Sequence, residues 1–192
     1  MDRLEILVEE PSIAEVLKAI LPKVLPSGWE VGVNCFIRPH EGKRDLQASI
    51  PRKIHVASRQ GTASGFIIVQ NQDTGDCRRL KAKLVKLCSD AQREGFPPFK
   101  VRIVCHELES WYLGDMEAIE KVFPRFKAAK YKNKKRFRNP DECVNPKDEL
   151  KKMVGEYPQI ATARELAMHM DIDANKSHSF HCFISALKRM VG

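Results

Sequence analysis

The 192-residue chain has no apolar run approaching the roughly 20 residues of a bilayer-spanning helix, no CxxC pair, no GxxxxGK[S/T] loop and no internal repeat. Each absence removes a class of function. A membrane span is excluded, and the start, MDRLEILVEE, carries acids where a secretion signal would carry basic residues before a long apolar core, so the reading is of a soluble, cytoplasmic protein. The six cysteines, Cys35, Cys77, Cys88, Cys105, Cys143 and Cys182, are scattered among apolar or helical neighbours and read as reduced packing residues. His178, His181 and Cys182 lie close together, but a zinc site needs a second group of ligands that the chain lacks. Without a P-loop, any ATP chemistry must come from a partner.

Acids are missing altogether between Arg125 and Arg138, a stretch that holds eight basic residues. The whole chain carries a net charge of +8 and a pI of about 9.2, which favours a polyanionic partner, nucleic acid ahead of a membrane surface. Phe126, Tyr131 and Phe137 are interleaved with Lys130, Lys132, Lys134, Lys135, Arg136 and Arg138. That pattern suits phosphate contacts with an occasional stacked base, on a loop that orders on binding. A solvated loop, or a docking surface for an acidic protein, is the other reading.

Strands alternate with helices along the rest of the chain. Residues 3–8 run as a first strand into Glu9-Glu10-Pro11-Ser12. Ser12 and Glu15 then have the spacing of a capping box, and Ile13, Val16, Leu17, Ile20 and Leu21 share a helical face. Residues 29–37 alternate as a second strand, and a helix over 43–58 follows, with Pro51 as a break or kink. The β-branched run Phe66 to Val69 is a buried central strand. It leads through the polar turn NQDTGD into a helix over 77–94, with Leu80, Leu84, Leu87, Cys88 and Ala91 as its inner stripe and Asp76 as its N-cap. Residues 99–105 are a fourth strand, followed by a short helix ending at Gly114 and another over 116–123. Three helices close the chain, over 146–154, 160–170 and 177–190. This order predicts an α/β fold, a Rossmann-like, mainly parallel four-stranded sheet flanked by helices over 1–124, a basic loop over 125–145, and a C-terminal helical extension over 146–192 packed on the core.

Parallel strands bring their carboxyl ends to one edge, where open α/β folds keep their chemistry. Glu9, the Asn71-Gln72-Asp73 turn, Glu107 and Glu109 therefore converge. Such a cluster calls for a divalent cation, which would neutralise it, polarise a phosphate and activate water.

These residues resemble a known pattern. A glutamate after the first strand, an acidic D-x-D turn after a later one and a parallel α/β frame look like the Toprim domain of topoisomerases, primases and OLD-family nucleases. LVEEPSIAEVL, NQDTGDCRRLK, HELESWYLGD and NKSHSFHCF resemble more closely a small Toprim-like bacterial family of unknown function, often encoded beside ABC-type or AAA ATPases. The resemblance implies Mg²⁺ or Mn²⁺ held by Glu9, Asn71, Asp73, Glu107 and Glu109, with Glu9, Asp73 and Glu109 as catalytic groups. It also puts Lys43 at a basic position able to touch phosphate. Asn71 stands where the pattern has its first aspartate, and an amide oxygen coordinates without bringing charge. A naturally weakened site and an inactivating replacement both account for it.

Two functions follow from the resemblance. One is a metal-dependent nuclease subunit, acting on DNA ahead of RNA beside an ABC-type or AAA ATPase, in defence against phage or plasmids. The alternative is a catalytically silent nucleic-acid-binding or regulatory subunit of such an ATPase. A topoisomerase or primase fragment ranks below both, because those activities need further domains. A homo-oligomer is compatible with either.

Overall fold

In the computed structural model, which describes residues 2–60 and 64–192, four strands form one sheet. They are β1 (Arg3–Val8), β2 (Cys35–Pro39), β3 (Ser64–Asn71) and β4 (Phe99–Val104), in the order β2-β1-β3-β4 with every neighbouring pair parallel. Parallel neighbours cannot be joined by a hairpin. Helices α1 (Pro11–Val24), α2 (Lys43–Gln60) and α3 (Cys77–Ala91) accordingly fill the three connections. Then come α4 (Glu109–Leu113), α5 (Met116–Val122), α6 (Pro146–Val154), α7 (Gln159–His169) and α8 (His178–Val191).

Side chains alternate across the sheet with the period of two that a strand imposes. Leu4, Ile6, Val8, Ile67, Val69 and Val104 enter a large core shared with α1, α4, α5, α7 and α8. Leu7, Phe66, Ile68, Val101 and Ile103 enter a smaller one under α2 and α3. Because α7 packs on α1 and α8 on β4, the C-terminal helices complete the first core.

Several local expectations need correction. Residues 29–34 form no strand, Val31 being an isolated bridge and 32–34 a turn, and β2 begins only at Cys35; Gly28 and Gly32 both have φ near +88°, a conformation that no strand uses. No capping box forms at α1. Its N-cap is Glu10, whose side chain makes no capping bond to the helix, while Glu15 is held by Lys18 and Arg164 instead. Pro51 does not break α2, which continues to Gln60. Asp76 does cap α3, accepting the Arg79 N–H at 2.7 Å.

The motifs around Trp111 and Ser177 turn out to be a buried latch. Trp111 Nε1 donates to Ser179 Oγ at 3.0 Å, and Asp141 takes the Ser177 hydroxyl at 2.7 Å and the Ser179 N–H at 2.6 Å. Asn175 is fixed at both ends of its amide: Nδ2 donates to the Trp111 carbonyl at 2.9 Å and Oδ1 accepts the Ser177 N–H at 2.8 Å. Buried polar groups are stabilising only when satisfied in this way, and the latch ties α4, α8 and the turn at 140–142 together. Gly114 is the close-approach residue, since a Cβ there would collide with the Asn175 side chain and lie 3.0 Å from Ser177 N. Gly114→Ala should therefore lower stability by about 1–3 kcal/mol in urea denaturation. An unchanged midpoint would mean that the latch yields freely.

Candidate functional site

Each strand exit at the carboxyl edge is fixed by backbone bonds. Gly42 N–H donates to the Glu9 carbonyl at 2.9 Å, which sets the start of α2 beside the end of β1. Gln72 N–H reaches Val104 O at 2.9 Å and Asp73 N–H reaches His106 O at 2.7 Å, so the turns after β3 and β4 form one unit. Asp73 and His106 both sit in the left-handed region, at φ 52° and 55°, a conformation uncommon for non-glycine residues and frequent near functional sites.

Between these turns lies a cavity of about 210 Å³ whose walls include Glu9, Asn71, Asp73, Glu107 and Glu109, the five residues expected to converge. Glu10, Tyr112 and Lys147 also line it. Every carboxylate named in the sequence has a protein partner. Glu9 Oε2 accepts the Asn71 backbone N–H at 2.9 Å, and Asp73 forms an ion pair with Lys43. Glu107 Oε2 accepts the Lys147 N–H at 3.3 Å, and Glu109 Oε1 accepts the Tyr157 hydroxyl at 2.8 Å. The Asn71 amide donates through Nδ2 to Glu10 at 3.1 Å, but its Oδ1 is buried without a partner among the described residues. The Tyr112 hydroxyl is buried and unpartnered in the same way.

Burial pushes the Glu9 carboxyl above its ordinary range; the Glu10 charge adds to the rise, while the Asn71 N–H and Lys43 oppose it. Glu109 is also raised by burial, against the pull of the Tyr157 hydroxyl. Tyr112 and Tyr157 are both pushed well up, by burial first and by Glu109 second. Both raised carboxyls are thus biased toward holding a proton.

Among the described residues, no three His, Cys, Asp or Glu side chains are gathered closely enough to hold a metal ion. The donors around the cavity are nonetheless all oxygens, the set that suits Mg²⁺ or Mn²⁺, and the orphaned Asn71 Oδ1 is a buried acceptor lacking a donor or cation. In that respect the residues fit a hard cation.

The basic residues divide into two groups. Lys43 is engaged by Asp73, Lys132 by Glu117 at 2.9 Å and Arg136 by Glu149 at 2.7 Å, while Lys134 lies 4.5 Å above the Tyr131 ring. Lys130, Lys135 and Arg138 are exposed and make no ion pair among the described residues. The stretch is not an unstructured loop. It contains two short 3₁₀ helices, Ala128–Lys130 and Lys135–Phe137, Phe126 and Phe137 are buried, and Phe126 stacks on Tyr131 at 5.0 Å. Two of the three aromatic residues expected to stack on bases therefore belong to the core. Sequence reasoning missed Glu10, Tyr112, Lys147 and Tyr157. Glu10 was visible as the second acid of the pair, whereas Lys147 and Tyr157 arrive from the distant α6 region with no local signal.

Residues 8–188 match the family described as a domain of unknown function, DUF4276. No curated protein matches the chain. The fold is similar to that of the C-terminal region of the Burkholderia pseudomallei OLD protein, at 14% identity and a TM-score of 0.55 over 100% of both chains. It is also similar to the corresponding region of the Xanthomonas campestris pv. campestris OLD protein, at 14% identity and a TM-score of 0.50, over 100% of this chain and 96% of that one. The Toprim-like α/β fold expected from the sequence is the fold observed. No helix among the described residues is long and apolar enough to cross a membrane.

A carboxyl raised in the folded state favours folding below its unfolded pKa and loses that contribution as pH rises through the folded value. Glu109→Gln keeps an acceptor for Tyr157 without a buried charge. It should stabilise the protein at pH 7 by on the order of 1 kcal/mol and by much less at pH 4, measured by thermal melts at both values. Equal effects at the two pH values would contradict the raised carboxyl.

Proposed function

The chain belongs to the DUF4276 family, whose description assigns no activity, and we propose that it is a metal-dependent nuclease subunit weakened by the amide at position 71. The observation that supports this reading is the acid-lined cavity at the carboxyl edge of a parallel sheet, with the unpartnered Asn71 Oδ1 in its wall. Glu9, Asn71 and Asp73 would hold Mg²⁺ or Mn²⁺, with Glu107 beside them. When bound, the cation neutralises the carboxylates and polarises a phosphodiester oxygen. Glu9, anchored by the Asn71 N–H, is placed to take a proton from an attacking water. Glu109, whose carboxyl burial raises and which accepts the Tyr157 hydroxyl, would be the group that returns a proton to the leaving oxygen. Lys43 must release Asp73 for this to occur, and phosphate is a natural acceptor for the freed ammonium.

Lys130, Lys135 and Arg138 would hold the strand, DNA ahead of RNA. An ABC-type or AAA ATPase partner and a role in defence against phage or plasmids complete the proposal, both resting on the resemblance in the sequence. A second reading, a silent nucleic-acid-binding or regulatory subunit, is favoured by the engagement of Asp73 with Lys43 and by the charge missing at Asn71.

Cleavage of plasmid and single-stranded DNA with Mn²⁺ separates the two. Asn71→Asp should raise the rate at least about tenfold, and adding Glu9→Ala should abolish it. Firm binding without cleavage in every variant would leave the silent subunit. For the nucleic-acid path, replacing Lys130, Lys135 and Arg138 by Ala should flatten the slope of log K against log salt by about 2 to 3. An unchanged slope would make the stretch a protein-docking surface.

A further inference from the structure

A second cavity lies away from the carboxyl-edge site, and none of its lining residues is shared with the acid-lined cavity. We propose that this groove, between α2 and the sheet strands β1, β2 and β3, binds a phosphate-bearing ligand of nucleotide size.

Its volume is about 600 Å³, inside the roughly 300–1,000 Å³ span of small-molecule sites. Helix α2 forms one wall, and the sheet forms the other through Arg3 and Glu5 of β1, Arg38 of β2 and Phe66 of β3. Glu5 lies on the floor, only 7% exposed, and organises two guanidinium groups. Arg3 reaches its Oε1 through Nε at 2.8 Å and Nη2 at 2.5 Å, while Arg38 reaches Oε2 through Nε at 2.8 Å and Oε1 through Nη2 at 3.4 Å. Both guanidiniums also rest on the Phe36 ring, 4.3 and 4.8 Å from its centroid. Their positions are thereby fixed, and Nη1 of each is left without a protein acceptor among the described residues.

Arg52 and Lys53 line the groove from the α2 side and make no ion pair among the described residues. One buried carboxylate thus faces four cations. A cluster meant only to blunt an edge strand would need neither the two α2 cations nor the cavity. Preorganised guanidinium forks match phosphate oxygens, and Val56, Ala57 and Phe66 supply an apolar wall for a base. The phosphate can belong to a free nucleotide or to the 5′ end of a strand.

The two sources and the proposal itself can be tested by calorimetry on the full chain in EDTA, which removes cation-bridged binding at the carboxylates. The probes are ATP, tripolyphosphate, and a short oligonucleotide with a 5′-phosphate or a 5′-hydroxyl. Saturable 1:1 binding of a phosphate-terminated probe is expected, weakened at least tenfold by Arg52→Ala with Lys53→Ala and by Arg38→Gln, with an unchanged melting temperature for the α2 pair. Saturation by ATP identifies a nucleotide site, and saturation only by the 5′-phosphorylated strand identifies a strand-end site. Failure of every probe to saturate, or binding that survives Arg52→Ala with Lys53→Ala, would overturn the proposal.

Discussion

Burial of carboxylates at one sheet edge governs the site, with repulsion between neighbouring acids adding to it. A parallel sheet delivers Glu9, Asp73 and the Glu107 to Glu109 turn to the same end, and a buried carboxylate left without a partner there is costly. The fold meets that cost with one partner for each acid. A backbone N–H serves Glu9, an ammonium serves Asp73, a second N–H serves Glu107 and a phenol serves Glu109. The partners come from β3, α2, α6 and the segment before α7, so the C-terminal helices take part in the site as well as in the core.

Asn71 belongs to the same economy of charge. Its Nδ2 satisfies Glu10, a bond that an aspartate could not make, and an aspartate would add a further negative charge beside Glu9. With an amide there and Lys43 on Asp73, the edge is stable without a cation. The cost is an orphaned acceptor, Oδ1, and a buried Glu9 held above its ordinary carboxylate range. Strain at Asp73 and His106 is supported by the paired turns after β3 and β4, which shows how much of this edge is held in one geometry.

The parts of this arrangement that were legible in the sequence are those set by period and position. The apolar run Phe66 to Val69, the alternation from Arg3 to Val8 and the helical stripe of α3 all report local geometry, and a parallel sheet then dictates where Glu9 and Asp73 must lie. Residues 29–34 misled because alternation of Trp29, Val31 and Val33 mimics a strand, while the glycines at 28 and 32 enforce turns. The aromatic residues after Arg125 misled for the opposite reason. Interleaving with lysines looks like a stacking surface, but the rings face inward and the charges outward. The motif around Ser177 was visible as unusual, yet its partners, Asp141 and Trp111, are 36 and 64 to 68 residues distant, beyond any local rule. Lys147 and Tyr157 were illegible on the same ground.

On the proposed reading, the carboxyl-edge cavity accepts a divalent cation despite its internal neutralisation. Titration with Mn²⁺ followed by electron paramagnetic resonance tests it without reference to any activity. Saturable binding that disappears with Glu9→Ala and tightens with Lys43→Met is the predicted result. Absence of saturable binding in the unmodified chain and in Lys43→Met alike would contradict the account.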